Sequence, residues 1–433
     1  MRLLNVFLYE FNHFRKNPAK VITYLIFVFA CIYSIYNGFD LQKKQQDTIV
    51  SIEQEAQNKV SFIANFFGNI QSQPDALEVL GYIPIYTIKP PSPLLPLGIG
   101  QAEQYGFYKK ITTWSSTYDN DMVEELANPE RLVNGNIDFS FLILFLLPVL
   151  LIILTYNIRG FEQDFRFEKL ISVQFGSIPK WIFVRFMFYV LLLIVTVLFF
   201  IFFVALVNNA LFTHFHQIGS LILLLVTYIF SFSFIFYFLI LKSHGSSAIA
   251  FKMISAWLVL CVIIPGAVHQ FVSMTYPVNY MTDYLDANRK ETYEVFDLPT
   301  DSIYLELIKI YPDLFSTKYA QPNHINAKMI RNTTYAIVNE INKVSIEKIE
   351  KQNNSKNELI RASYWFNPLA YMQNKWNSYT ETDYYAYRGY RMDVQRYIDQ
   401  NIERSVFQAW DEIKLTKEMY DDFLKTFNLN FKN

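Results

Sequence analysis

The run WIFVRFMFYVLLLIVTVLFFIFFVALV, residues Trp181–Val207, decides the fold. Arg185 is its only charged residue, and it lacks the polar stripe that a surface helix of a soluble protein would show. At 1.5 Å per residue, a helix of this length crosses a hydrocarbon layer of roughly 30 Å. Lipid offers the backbone no hydrogen-bond partners, so an apolar run of this length reads as a transmembrane helix, whose peptide groups satisfy one another.

Working outward, four more runs share this character. They are residues 219–241 and 249–272 downstream, and 139–156 and 19–36 upstream. The whole chain has 433 residues, 52 % of them hydrophobic and only 18 % charged, where a soluble domain carries roughly 25 % charge. The expected fold is an all-α polytopic membrane protein with five transmembrane helices. A net charge of -1 provides no basic face for nucleic acid. Cys31 and Cys261 both fall inside apolar runs and read as small buried hydrophobes, not as a disulfide framework. The first apolar run lacks a small-residue cleavage site and is expected to remain as an anchor.

Lysines and arginines set the expected orientation. Arg15, Lys16 and Lys20 precede the first span; Arg159, Arg166, Lys169 and Lys180 lie between the second and third; Lys242 and Lys252 lie between the fourth and fifth. These clusters belong in the cytosol, which places the N-terminus inside and residues 37–138 and 273–433 outside. Residues 1–18 alternate apolar and polar groups at helical spacing, as an interfacial helix would. The pattern of residues 41–67 extends the first span outward as helix, and the proline-rich KPPSPLLPLGIG that follows at 89–100 is expected to be extended and non-helical. The second outer segment, at about 160 residues, is long enough for a mainly helical domain with its own core.

Catalytic signatures are missing. The sequence has no GxxxxGK[ST] loop for ATP, no HExxH or CxxC, and no GxSxG elbow. No metal site is expected either, since His214 and His216 have no carboxylate or thiol beside them. The spans hold no ionisable group near their middle, as an ion-driven transporter would need, and Arg185 and Lys252 are expected to snorkel to the headgroups. The connection 157–180, NIRGFEQDFRFEKLISVQFGSIPK, interleaves Arg159, Glu162, Asp164, Arg166 and Lys169 with Phe161 and Phe165. This spacing suits a short amphipathic helix that docks in a groove of a cytosolic partner, or a solvated connector between spans. Pro148 in the second span, and Pro265 with Gly266 in the fifth, mark kinks that either shape the bundle or act as hinges.

The stretch from Glu125 to Phe165 resembles ABC-2-type transporter permeases with a large periplasmic insertion, the group containing the DUF3526 domain. The residues that carry the resemblance are Asn128-Pro129, Asp138-Phe139, Leu147-Pro148 and Tyr156-Asn157, followed by acidic Glu162 and Asp164. The chain departs from the pattern at Arg166-Phe167, where Gly-Thr is usual, and at Gln174-Phe175, where Gln-Pro is usual. A second match lies at Asn367-Pro368, Gln373 and Thr382-Asp383. The resemblance implies a permease subunit in the bacterial inner membrane, paired with a second permease (the same chain or a related one) and a dimer of cytosolic ATPase subunits. ATP and Mg²⁺ would be bound by those subunits, leaving this chain with no cofactor of its own. It also implies that 157–180 is the coupling helix, with Arg159, Phe161, Glu162, Asp164, Phe165, Arg166 and Lys169 as coupling residues. Such permeases usually have six spans where this chain shows five. A second expectation is therefore kept open: a non-transporting component that transmits the ATPase stroke to a periplasmic partner.

Overall fold

The computed structural model describes residues 3–67, 74–118, 137–277, 292–427 and 429. The chain is mostly helical and forms two bodies, an apolar bundle and a polar body, joined along one long helix. Asn128-Pro129 lie outside the described residues.

Among the described residues, five helices are long and apolar enough to cross a membrane: Pro18–Asn65, Phe139–Asp164, Ile178–Val207, Phe215–Lys242 and Ser246–Thr275. Span 2 is the most enclosed, with 67 % of its apolar window buried, and span 5 the least, with 17 %. The bundle is thus built around span 2, whose Leu144, Leu147, Leu151 and Leu154 are fully covered by spans 3 and 4 and their neighbours. Apolar burial gives little net drive between helices in lipid, so close packing and side-chain hydrogen bonds carry the specificity.

Helix α1 (Leu3–Lys16) packs on the third span. Helix α2 (Pro18–Phe67) runs unbroken for 50 residues, roughly 75 Å, more than twice the thickness of a hydrocarbon core. Its C-terminal half enters the polar body, where Ala56 and Ile63 share one core with Leu80, Ile85, Ile111 and residues of the 295–429 segment. The two segments read separately in the sequence therefore fold as one unit. Trp410 is buried at the centre of this core, donating Nε1–H to Thr333 Oγ1 at 3.0 Å and stacking on Tyr304. The body also holds an element that the all-helical expectation lacks: an antiparallel ribbon of β1 (Ile85–Ile88) and β2 (Tyr108–Ile111). Alternating burial along IYTI, which joins three β-branched residues and a tyrosine, accounts for it.

The proline-rich loop joins the two bodies. It contains one 3₁₀ turn, Leu95–Leu97, so the expectation of a fully non-helical loop is corrected. Pro96 sits in the first turn, where a missing N–H costs nothing. Leu94 and Leu97 plug the bundle core, and the loop presses on α2 at Gly38, where a Cβ would lie 2.5 Å from the Pro96 Cα.

Candidate functional site at the far end of the bundle

Opposite the polar body, the 157–177 connection folds as two short helices, α3 (Asn157–Asp164) and α4 (Glu168–Phe175). Arg166 takes a left-handed conformation at the corner between them (φ +60°), and Gly176 (φ +80°) ends α4. One side of this hairpin is fixed to the bundle. Arg159 donates to Glu168 at 2.9 Å and to the last carbonyls of span 4, Ile240 at 3.2 Å and Leu241. The Gln163 side-chain carbonyl accepts from Gly245 N–H at 2.9 Å, and Asp164 accepts from Ser246 Oγ at 2.6 Å. The hairpin is therefore tied to the turn between spans 4 and 5.

Glu162 is buried and belongs to a charged cluster inside the bundle. It accepts from Trp181 Nε1 at 2.6 Å and from Arg185 at 2.5 Å. Arg185 bonds through its Nε to Glu10 of α1, also at 2.5 Å, and Tyr189 donates to the other Glu10 oxygen at 2.6 Å. Lys20 donates to Tyr189 at 3.0 Å and to the Leu154 carbonyl at 2.7 Å. The expectation that Arg185 snorkels to the headgroups is thus corrected. Two carboxylates reach it from other helices, so its charge is compensated in place. Burial raises the Glu10 carboxyl, but His13, 3.5 Å away, and Arg185 outweigh it and hold the group at about 2.

The other side of the hairpin is exposed and apolar. Phe161, Phe165 and Phe167 form a run of ring contacts at 4.6 and 6.4 Å, flanked by exposed Leu170 and Val173, with Arg166 and Lys169 at the surface. The seven residues singled out in the sequence therefore separate by direction. Arg159, Glu162 and Asp164 hold the hairpin, while Phe161, Phe165, Arg166 and Lys169 face away from the bundle. Sequence reasoning missed Glu10, Lys20, Trp181 and Tyr189. A charged residue inside a span was the available signal for a buried partner.

Pro148 and Pro265 each follow a π-helical turn, Leu142–Leu146 and Val259–Ile263. In each, the next amide bonds five residues back, Leu147 to Leu142 and Ile264 to Val259. An added residue relieves the clash between a proline ring and the carbonyl four positions earlier. A Cβ on Gly266 would meet nothing within 4 Å, so packing does not require glycine there. Among the described residues no group of three or more His, Cys, Asp or Glu side chains could hold a metal ion.

Residues 285–428 match the family described as a domain of unknown function, DUF3526. No curated protein and no solved structure matched the chain. The family match covers most of the second half of the polar body and none of the spans.

Proposed function

We propose that this chain is the permease subunit of an ATP-driven, ABC-2-type transporter of the bacterial inner membrane. In this reading the α3–α4 hairpin is the cytosolic coupling element. The observation that carries the proposal is the two-sided hairpin. Its outer side presents Phe161, Phe165, Phe167 and Leu170 to a partner, while its inner side is bonded to spans 3, 4 and 5 and, through Arg185, to α1. A partner that moved the hairpin would move those elements with it. ATP and Mg²⁺ would be bound by the partner, since the chain has no phosphate loop.

A second reading, transmission of the stroke to a periplasmic partner without transport, is favoured by α2. This helix links the coupling end of the bundle to the polar body without a break.

The test is affinity purification of the tagged full chain in mild detergent, with mass spectrometry and an ATPase assay on the eluate. A P-loop ATPase is expected in stoichiometric amount from the wild type, and is expected to be lost from a Phe161→Asp, Phe165→Asp double variant that still elutes as a single species. Wild-type protein that purifies without an ATPase overturns the permease reading. Cargo flux in vesicles, or its absence while ATP is hydrolysed, separates the first reading from the second.

A further inference from the structure

The polar body reaches down into the bundle at one corner. Helix α5 (Tyr335–Ala362) packs on the end of span 5, and helix α6 (Pro368–Tyr379) follows it after the turn 363–367. Leu369, Met372 and Trp376 of α6 belong to the apolar core of the bundle. At its start, Asn367 and Ala370 lie beside Phe145 of span 2 and Pro265 of span 5. Phe145 is six residues, roughly 9 Å, inside span 2, and Pro265 is ten residues, roughly 15 Å, before the end of span 5. The corner thus lies below the ends of the spans, at the depth of the leaflet next to the polar body.

Two large apolar side chains point outward from that corner. Trp365 is 87 % exposed and Phe366 40 %, with their rings 4.9 Å apart. Such a pair suits the boundary between headgroups and acyl chains, where an indole keeps its N–H hydrated and its rings in hydrocarbon.

Next to the corner, a cleft of about 650 Å³ opens between the end of α5, one face of α6 and the start of α7 (Tyr384–Asp411). That volume is within the range of about 300–1,000 Å³ typical of ligand sites. Tyr371, Lys375 and Ser378 line it from the face of α6 opposite Leu369, Met372 and Trp376. Two cations face the cleft, exposed Arg361 and half-buried Lys375, and among the described residues neither forms an ion pair. The Tyr364 hydroxyl accepts from Asn374 Nδ2 at 2.8 Å, which leaves its own hydrogen to donate. Asp383 also lines the cleft, but its carboxylate caps α7, accepting from Ala386 N–H at 3.1 Å, and is drawn to Lys89. The cleft therefore offers an anion a guanidinium, an ammonium and a phenol. A zwitterionic headgroup would bring a further cation to that pair, so an anionic one fits better.

We propose that this corner is a phospholipid site. Trp365 and Phe366 enter the headgroup boundary of the adjacent leaflet, and the cleft takes the phosphate of an anionic phospholipid on Arg361, Lys375 and the Tyr364 hydroxyl. The site rests on the spans lying in a bilayer and not on the ATPase reading, since its test involves neither ATP nor a partner subunit.

The test places the photoreactive residue p-benzoylphenylalanine at position 366 of the full chain, in nanodiscs of equimolar phosphatidylcholine and phosphatidylglycerol with the same acyl chains. After irradiation, intact-mass spectrometry is expected to find one lipid added to the chain. Phosphatidylglycerol adducts should exceed phosphatidylcholine adducts about fivefold, the scale of a single Lys or Arg at an anionic surface. Arg361→Gln combined with Lys375→Gln should equalise the two lipids while adducts persist. Cross-linking to a second copy of the chain would make the corner a protein interface, and absence of any adduct would leave it in water; either overturns the proposal. Equal adducts of both lipids without the two glutamines, or an unchanged excess with them, would overturn the headgroup assignment. The lipid ratio is read first with Arg361 and Lys375 intact, so the test survives a double variant that fails to fold.

Discussion

Tyr228 in span 4 donates its phenolic hydrogen to the Leu144 carbonyl in span 2, at 2.5 Å. Leu144 lies four residues before Pro148, so its carbonyl is the one that an amide at position 148 would reach in an unbroken α-helix. The next carbonyl, Phe145, accepts from Trp257 Nε1 in span 5 at 3.1 Å. Tyr228 also lies 3.9 Å from Cys261 Sγ, inside the second π turn. Spans 4 and 5 thus supply donors to the stretch that the proline disturbs.

Tyr228→Phe should lower the stability of the bundle by about 1 kcal/mol, the usual scale for such bonds in membranes. Pro148→Ala returns an N–H to the segment, so Tyr228→Phe should cost less in that background. Thermal unfolding of the four proteins in one detergent gives the coupling, and strictly additive losses would show that Tyr228 does not compensate for the proline.

Glu10 gives the protein a dependence on acid. Its carboxyl is held at about 2, against 4.5 when unperturbed, so its contribution is full above 4.5 and is lost as pH falls toward 2. The linked stability is on the order of 3 kcal/mol. Wild-type melting temperature should fall between about pH 5 and pH 3, and Glu10→Gln should flatten that part of the curve. Arg185→Gln strands Glu10 and Glu162 together and should cost about 3–5 kcal/mol, and Arg185→Lys should not restore the loss, since one ammonium cannot reproduce the guanidinium fork.

Gly38→Ala places a methyl group 2.5 Å from the Pro96 Cα, against backbone that cannot swing aside. The expected cost is about 1–3 kcal/mol. Protease cleavage within residues 89–100 should rise, because the Leu95–Leu97 turn must lift off α2. Unchanged cleavage would mean that the loop seats itself without that contact.

Arg159→Ala removes the clamp between α3, Glu168 and the end of span 4. Amide exchange should accelerate across residues 157–176 and stay unchanged in the polar body. Acceleration throughout the chain would instead mark Arg159 as part of the global core.

Much of the bundle is legible in the sequence, because a run of eighteen or more apolar residues has few alternatives to a span. The hairpin was visible as an interleaving of Phe161 and Phe165 with Glu162 and Asp164. Its direction was not, because an amphipathic pattern does not say which side faces the protein. The Glu10–Arg185 contact was hidden for another reason: its partners are 175 residues apart, and no local periodicity records a pairing at that distance. The π turns leave no compositional mark, although Pro148 and Pro265 announce that something yields nearby.

The core shared by Ala56, Ile85 and Trp410 also has a history in time. A ribosome adding about 5–20 residues per second makes Glu10 wait roughly 10–35 s for Arg185. The first half of the polar body waits longer still, because the helices that cover it are synthesised only after the fifth span. Until the last third of the chain emerges, Ile63, Leu80 and Ile85 have only one another and neighbours such as Ala56 and Ile111 to bury against, so a nascent chain stalled before residue 295 should engage chaperones through those residues.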